Sequence, residues 1–284
     1  MYNYQKLFLL FVLSFSILSN AQSYKKDILR GEFTYLLKAK FDTRKDHRDE
    51  ELFLLQVGEN RAFFASAVSL KGDSVMANSK TTTKNSDGST TFGWKNGAMI
   101  PKTNFNFTII QSNENIQYFD FAGMSLLTYK EQIIKNWKLV DEGKIINTIH
   151  CKKAEVTFKG RNWIAWYSPE IPFPYGPMKF SGLPGLIIKI TDDKGDFDFE
   201  IVKAVSDSKL KGKFVNVKKN RYTEAVETTQ PKLKQAQRNS SGVLESYGIT
   251  TTLEGKEILR QREKEREKLI DENKKYANPL ELEN

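Results

Sequence analysis

Ile171 to Pro177 reads IPFPYGP. Three prolines in seven residues remove backbone donors that a sheet ladder needs, so this stretch cannot be a paired strand. It lies between two runs that read as strands. Before it, Lys159-Gly160-Arg161 makes a tight turn. Trp163, Ala165 and Tyr167 then share one face, and Asn162, Ile164 and Trp166 the other. After it, Leu186 to Thr191 is almost unbroken in apolar character. The chain must therefore leave a sheet, pass over it in extended form, and enter it again. Large apolar groups on both faces predict that the Asn162–Tyr167 strand is central and covered on both sides.

Most of the remaining pattern from Arg30 to Ser206 has the same character. Gly31–Phe41, Glu51–Val57, Arg61–Leu70, Asn104–Gln111 and Asn115–Gly123 are short β-rich runs separated by turn signals. Phe197, Phe199 and Ile201 point one way in the last run, while Asp198 and Glu200 point the other. Ser79–Gly97 is rich in Thr, Ser, Asn and Gly and reads as a loop or an edge hairpin. Leu127–Trp137 fits a strand or a short helix equally well. Within the glycine-rich stretch, Leu183-Pro184-Gly185 suits a type II turn, with Gly185 at the position of positive φ. Gly182 would let the backbone pass close to a neighbour.

The fold class that follows is mainly β (α+β): a strongly curved antiparallel sheet or half-barrel over residues 22–206. The proline-rich crossover and helical segments would close its concave side. Residues 207–284 form a polar, basic extension. Within it, Leu253–Ala277 reads as a charged C-terminal helix, with i,i+3 and i,i+4 pairs such as Glu257 with Arg260. The expectation is a solvated helix lying on the domain.

Residues 1–21 are set aside from the fold. Lys6 precedes the apolar run Leu7–Leu18, and Ser19-Asn20-Ala21 offers small residues to a signal peptidase. The run is short for a membrane span. The expectation is export, to the periplasm or outer envelope, and a mature chain that is not an integral membrane protein. Net charge is +9, or +8 once Lys6 is removed. In an exported protein this charge argues for anionic envelope surfaces rather than nucleic acid. Cys151 is the single cysteine, so stability must come from burial and not from internal disulfides.

Motifs for chemistry are scarce. The two histidines, His47 and His150, and one cysteine cannot supply the usual zinc sets. His150 and Cys151 are neighbours on a strand and point to opposite faces, which precludes a dyad. The acids Asp192, Asp193, Asp196, Asp198 and Glu200 do not follow the spacing of a calcium loop. No metal, cofactor or catalytic residue is therefore assigned. The candidate ligand-binding residues are aromatic: Trp163, Trp166, Tyr167, Phe173, Tyr175 and Phe180. Core packing is the default for such residues, and an aromatic-lined cavity for a lipid, peptide or sugar is the alternative, which a curved sheet can hold beside a core.

Gly160 to Ile190 resembles the signature of the GLPGLI family of exported Bacteroidetes proteins. The matching elements include Cys151, Lys153-Ala154, Gly160, Arg161, Ala165-Trp166-Tyr167, Pro172, Gly176, Pro177, Lys179-Phe180 and Gly182-Leu183-Pro184-Gly185-Leu186-Ile187. Asn278–Leu282, NPLEL, is similar to the family's common ending. The resemblance implies export and a link to outer-membrane uptake receptors, with no established activity. The Gly176–Gly185 pattern also looks like one in LolA-like lipoprotein carriers, a fold-level analogy. The expected function is non-enzymatic binding of a hydrophobic or peptidic ligand, in the manner of a carrier or chaperone. The alternative is an interaction module without a ligand cavity that docks on an outer-membrane receptor. A hydrolase is a third, weaker reading.

Overall fold

A computed structural model describes residues 27–95, 99–245 and 253–282. The expected leader at residues 1–21 lies outside them. Fourteen strands are described, and twelve form one sheet in the order β14-β8-β7-β6-β3-β2-β1-β13-β12-β11-β10-β9. The strands central to the argument are β1 (Gly31–Ala39), β2 (Asp49–Val57), β3 (Arg61–Ser66), β6 (Thr108–Ser112), β7 (Asn115–Ala122) and β8 (Ser125–Gln132). On the other side lie β9 (Lys138–Ile146), β10 (Ile149–Phe158), β11 (Arg161–Ser168), β12 (Leu186–Asp192) and β13 (Phe197–Ala204). All pairings in this sheet are antiparallel except the short β14 (Val226–Glu227), which runs parallel to β8. β4 (Lys80–Lys84) and β5 (Thr90–Trp94) make a separate hairpin.

The sheet curls. Eight strand spacings separate β8 from β11, about 38 Å if the sheet were flat. Yet Glu131 on β8 forms a 3.0 Å ion pair with Lys159 in the β10–β11 turn. β9 and β14 do not pair, so the sheet remains an open curved layer rather than a closed barrel.

Alternation explains the core. On β1, Phe33, Tyr35, Leu37 and Ala39 are buried on the inner face, beside Phe53 and Leu55 of β2 and Phe197, Phe199 and Ile201 of β13. Successive residues of β3 serve opposite faces. Phe64 stacks on Phe53 with centroids 4.8 Å apart, whereas Phe63 joins Ile110, Phe119 and Val217 in a smaller outer core. The 213–228 segment covers that outer face. Arg221 pins it there, with its guanidinium bonded to Asp73 and Ser69 of the helix α1 (Ala67–Ser79).

Helix α1 corrects the strand reading of Arg61–Leu70. The strand ends at Ser66, whose hydroxyl accepts from the Ser69 amide at 3.0 Å and caps the helix. Residues 125–132 resolve the ambiguous Leu127–Trp137 run as strand β8, followed by irregular chain. Within the Ser79–Gly97 run, read as a loop or an edge hairpin, β4 and β5 do pair as a hairpin, but one that stands apart from the main sheet rather than at its edge. Helix α2 (Gln230–Glu245) packs on β7 and β8. The described side chains of helix α3 (Leu253–Lys274) are exposed. Among described residues, its bonds to the sheet domain lie at its far end, where Asn273 accepts from Arg44 and the Tyr276 carbonyl from the Thr43 amide.

The crossover is confirmed as extended chain over the inner face. Gln111 of β6 holds it at both ends of its tip: its amide donates to the carbonyls of Gly176 at 2.8 Å and Met178 at 2.6 Å. The return into β12 differs from a type II turn. The Gly185 amide donates to the Leu183 carbonyl at 2.8 Å, closing a three-residue turn around Pro184, and Gly185 has φ +155°.

Candidate functional site

The six candidate aromatics do not surround one space. Trp163, Phe180 and Phe158 pack as a cluster, with Trp163 and Phe180 centroids 4.6 Å apart, and both are essentially fully buried. The Trp163 indole donates to the Phe158 carbonyl at 3.2 Å. Trp166 lies on the opposite face, under the Lys144 ammonium at 3.9 Å. A bulge between Trp166 and Tyr167 shifts the register, so both of these neighbours are buried. Tyr175 is buried in the crossover, and burial raises its phenol pKa. Phe173 alone is half-exposed. It packs edge-on against Phe33 and lines an open cleft of about 750 Å³ with Ile28, Arg30 and Leu210.

The densest polar constellation lies elsewhere. It is built on the segment Asn278–Leu282, which follows α3. Arg161 opens β11 and is buried with Asp192, its ion-pair partner at 3.0 Å. Its remaining donors reach the Pro279 carbonyl at 2.7 Å, the Leu280 carbonyl at 3.1 Å and the Asn278 side-chain oxygen. The other end of the Asn278 amide donates to the Lys40 carbonyl at 2.7 Å and to Asp196 at 3.0 Å. The Asn278 and Leu282 amides bond the carbonyls of Phe41 and Lys159. Leu280 packs against the inner core.

Glu281 completes the contact. Its carboxylate pairs with Lys179 at 2.7 Å and accepts from Gln230 of α2 at 2.6 Å. Lys179 is 2% exposed, pairs also with Glu131 at 3.2 Å, and lies over the rings of Tyr129 and Tyr118 at 5.1 and 5.6 Å. Burial raises the pKa of both phenols. Nearby, burial lowers the Lys234 ammonium. Two cations of one sequence stretch, Arg161 and Lys179, thus grip one short segment from its two ends. Arg161 and Asn278–Leu282 both entered the sequence reading, but as separate signatures. Lys179 appeared only as part of the signature, beside Phe180. Its partners Glu131 and Glu281 lie too far off in sequence to be assigned from it.

The glycines of the signature have packing roles. A Cβ on Gly185 would lie 2.1 Å from the Ser168 carbonyl oxygen, and one on Gly182 would lie 2.6 Å from that of Ile134. The acids of the β12–β13 hairpin are engaged by protein groups: Asp192 by Arg161, Asp193 by Asn162, Asp198 and Glu200 by Lys189. Among described residues no group of three or more His, Cys, Asp or Glu side chains is placed to hold a metal ion. Cys151 is buried, and its thiol is pushed up to about 11, chiefly by burial. His150 sits at the surface 3.3 Å from Glu170. A further open cleft, about 940 Å³, has the half-buried rings of Phe41 and Phe105 in its wall, with Arg48, Glu51 and Lys102 around them.

A family model described as a protein of unknown function (Porph_ging) matches residues 124–189. That range runs from the β7–β8 turn into β12 and contains Arg161, Lys179 and the crossover. No curated protein matches the chain. Two crystal structures of PNGF-II, in P21 and C2 space groups, align at 14% identity, with TM-scores of 0.48 and 0.46. Each alignment covers 74% of this chain and 33% of the other, so the chain spans about a third of those structures' length. Among described residues no helix is long and apolar enough to cross a membrane.

Proposed function

We propose that the protein is a non-enzymatic interaction module of the cell envelope, exported by its N-terminal leader and docking on an outer-membrane uptake receptor. The observation that carries this reading is the filled concave face. Tyr175 of the crossover, Phe180 and Leu183 of the chain that follows it and Ile187 of β12, with Leu280, occupy the space a carrier would leave for cargo. The described, exposed side chains of helix α3, rich in both charge signs, supply a surface for docking.

The carrier reading keeps two supporting observations, the open cleft lined by Phe173 and the one beside Phe41 and Phe105, where aromatic edges meet charged groups. Two measurements on protein from its own envelope separate the readings. Photo-crosslinkers at exposed α3 positions such as Lys268 should capture one outer-membrane protein, and native mass spectrometry should show the bare polypeptide mass. Failure to crosslink any envelope protein, together with a stoichiometric co-purifying ligand, would reverse the assignment in favour of the carrier.

A further inference from the structure

The contacts of Asn278–Leu282 are those of a bound peptide rather than of a chain end resting on a surface. Both ends of the Asn278 amide are paired, two successive carbonyls take the Arg161 fork, Leu280 enters the core, and Glu281 meets Lys179 and Gln230. Each position is read by a different chemistry: an amide, a proline that presents its carbonyl without a donor, an aliphatic group and an acid. The groove itself belongs to the sheet, the crossover and α2. What joins its occupant to the rest of the chain is α3, 22 residues and about 33 Å long, with its described side chains exposed. A segment held tightly at its own residues and carried at the end of a helix whose described bonds to the sheet domain lie at its far end is an arrangement from which two copies exchange elements.

We propose that the groove between Arg161 and Lys179 is a peptide-recognition site for Asn-Pro-aliphatic-Glu, and that the Asn278–Leu282 segment of a second copy can fill it in place of the chain's own. The inference goes beyond the envelope reading and does not depend on it. Within one chain, the tethered segment competes at an effective concentration in the millimolar range, so a separate peptide is excluded. Weakening the segment while leaving the groove intact removes that competition.

The test uses full-length protein carrying Asn278→Ala and a labelled peptide of the sequence from Tyr276 to Leu282. Fluorescence anisotropy should show saturable binding, at least about tenfold tighter than to the unsubstituted protein, whose groove is occupied. A peptide with alanine in place of the asparagine should not bind. If Asn278→Ala does not fold, the peptide should restore its thermal transition on refolding. In parallel, unsubstituted protein refolded at high concentration should yield a dimer by light scattering, and excess peptide should suppress it. Absence of peptide binding by the folded variant, or no restored transition in an unfolded one, overturns the recognition site. Peptide binding accompanied by monomer alone after concentrated refolding overturns the exchange between copies.

Discussion

Gly185 and Ser168 touch through backbone alone: a Cβ at position 185 would come within 2.1 Å of the Ser168 carbonyl oxygen. The contact joins the end of β11 to the start of β12, where the crossover departs and returns. With φ at +155°, position 185 also lies in a region that side chains rarely tolerate. Gly185→Ala should therefore cost roughly 2–4 kcal/mol from strain and overpacking together. Chemical denaturation checks this. A loss under 0.5 kcal/mol, the ordinary range for a surface change, would contradict the close approach.

Arg161 provides a second test. Arg161→Met leaves Asp192 buried without its cation, and such a loss costs about 3–5 kcal/mol. Arg161→Lys keeps the charge but cannot reproduce the planar fork onto the Pro279 and Leu280 carbonyls. It should fall between the native protein and the methionine variant in urea midpoint. Equal midpoints for the lysine variant and the native protein would mean that the fork contributes nothing.

The Lys179–Glu281 pair can be isolated by a double-mutant cycle. Lys179→Met, Glu281→Gln and the double variant should give a coupling of about 1–3 kcal/mol, because both groups are shielded from water. Glu131 remains next to position 179, so Lys179→Met should be the costlier single change. Additive effects would place the pair among weakly contributing surface pairs.

Asp120 makes the stability pH-dependent. Its carboxyl is raised above the usual range, first by burial, against the lowering effect of bonds from the Phe121 amide, Gln237 and Tyr118. A raised folded value means that the native state holds the proton more tightly than the unfolded chain. The contribution is full below about pH 4, the unfolded value, and is lost as pH rises through the folded value. Asp120→Asn should remove this falling component. Matching melting temperatures against pH for the two proteins would show that Asp120 does not contribute.

Cys151 should resist modification. With the thiol near pKa 11, its thiolate fraction at pH 8 is roughly a hundredfold below that of an ordinary cysteine. Alkylation of native protein should be slower still, because the sulfur is buried, and should accelerate on unfolding. Rapid reaction in the native state would disprove the burial.

What the amino-acid sequence determined by itself was local. Alternation set the inward face of β13, prolines kept Ile171–Pro177 out of the sheet, and the absence of familiar motifs left no catalytic assignment. These depend on neighbours one to four residues apart. It misread Arg61–Leu70, where a single hydroxyl, that of Ser66, stops a strand and starts a helix. Tertiary structure decided the rest. Only the curl of the sheet brings Glu131 to Lys159 and Lys179, and only the return after α3 brings Asn278 and Glu281 to Arg161 and Lys179. Such pairs join groups whose charges and donors are evident in the sequence but whose meeting depends on strand order, and no local periodicity encodes strand order.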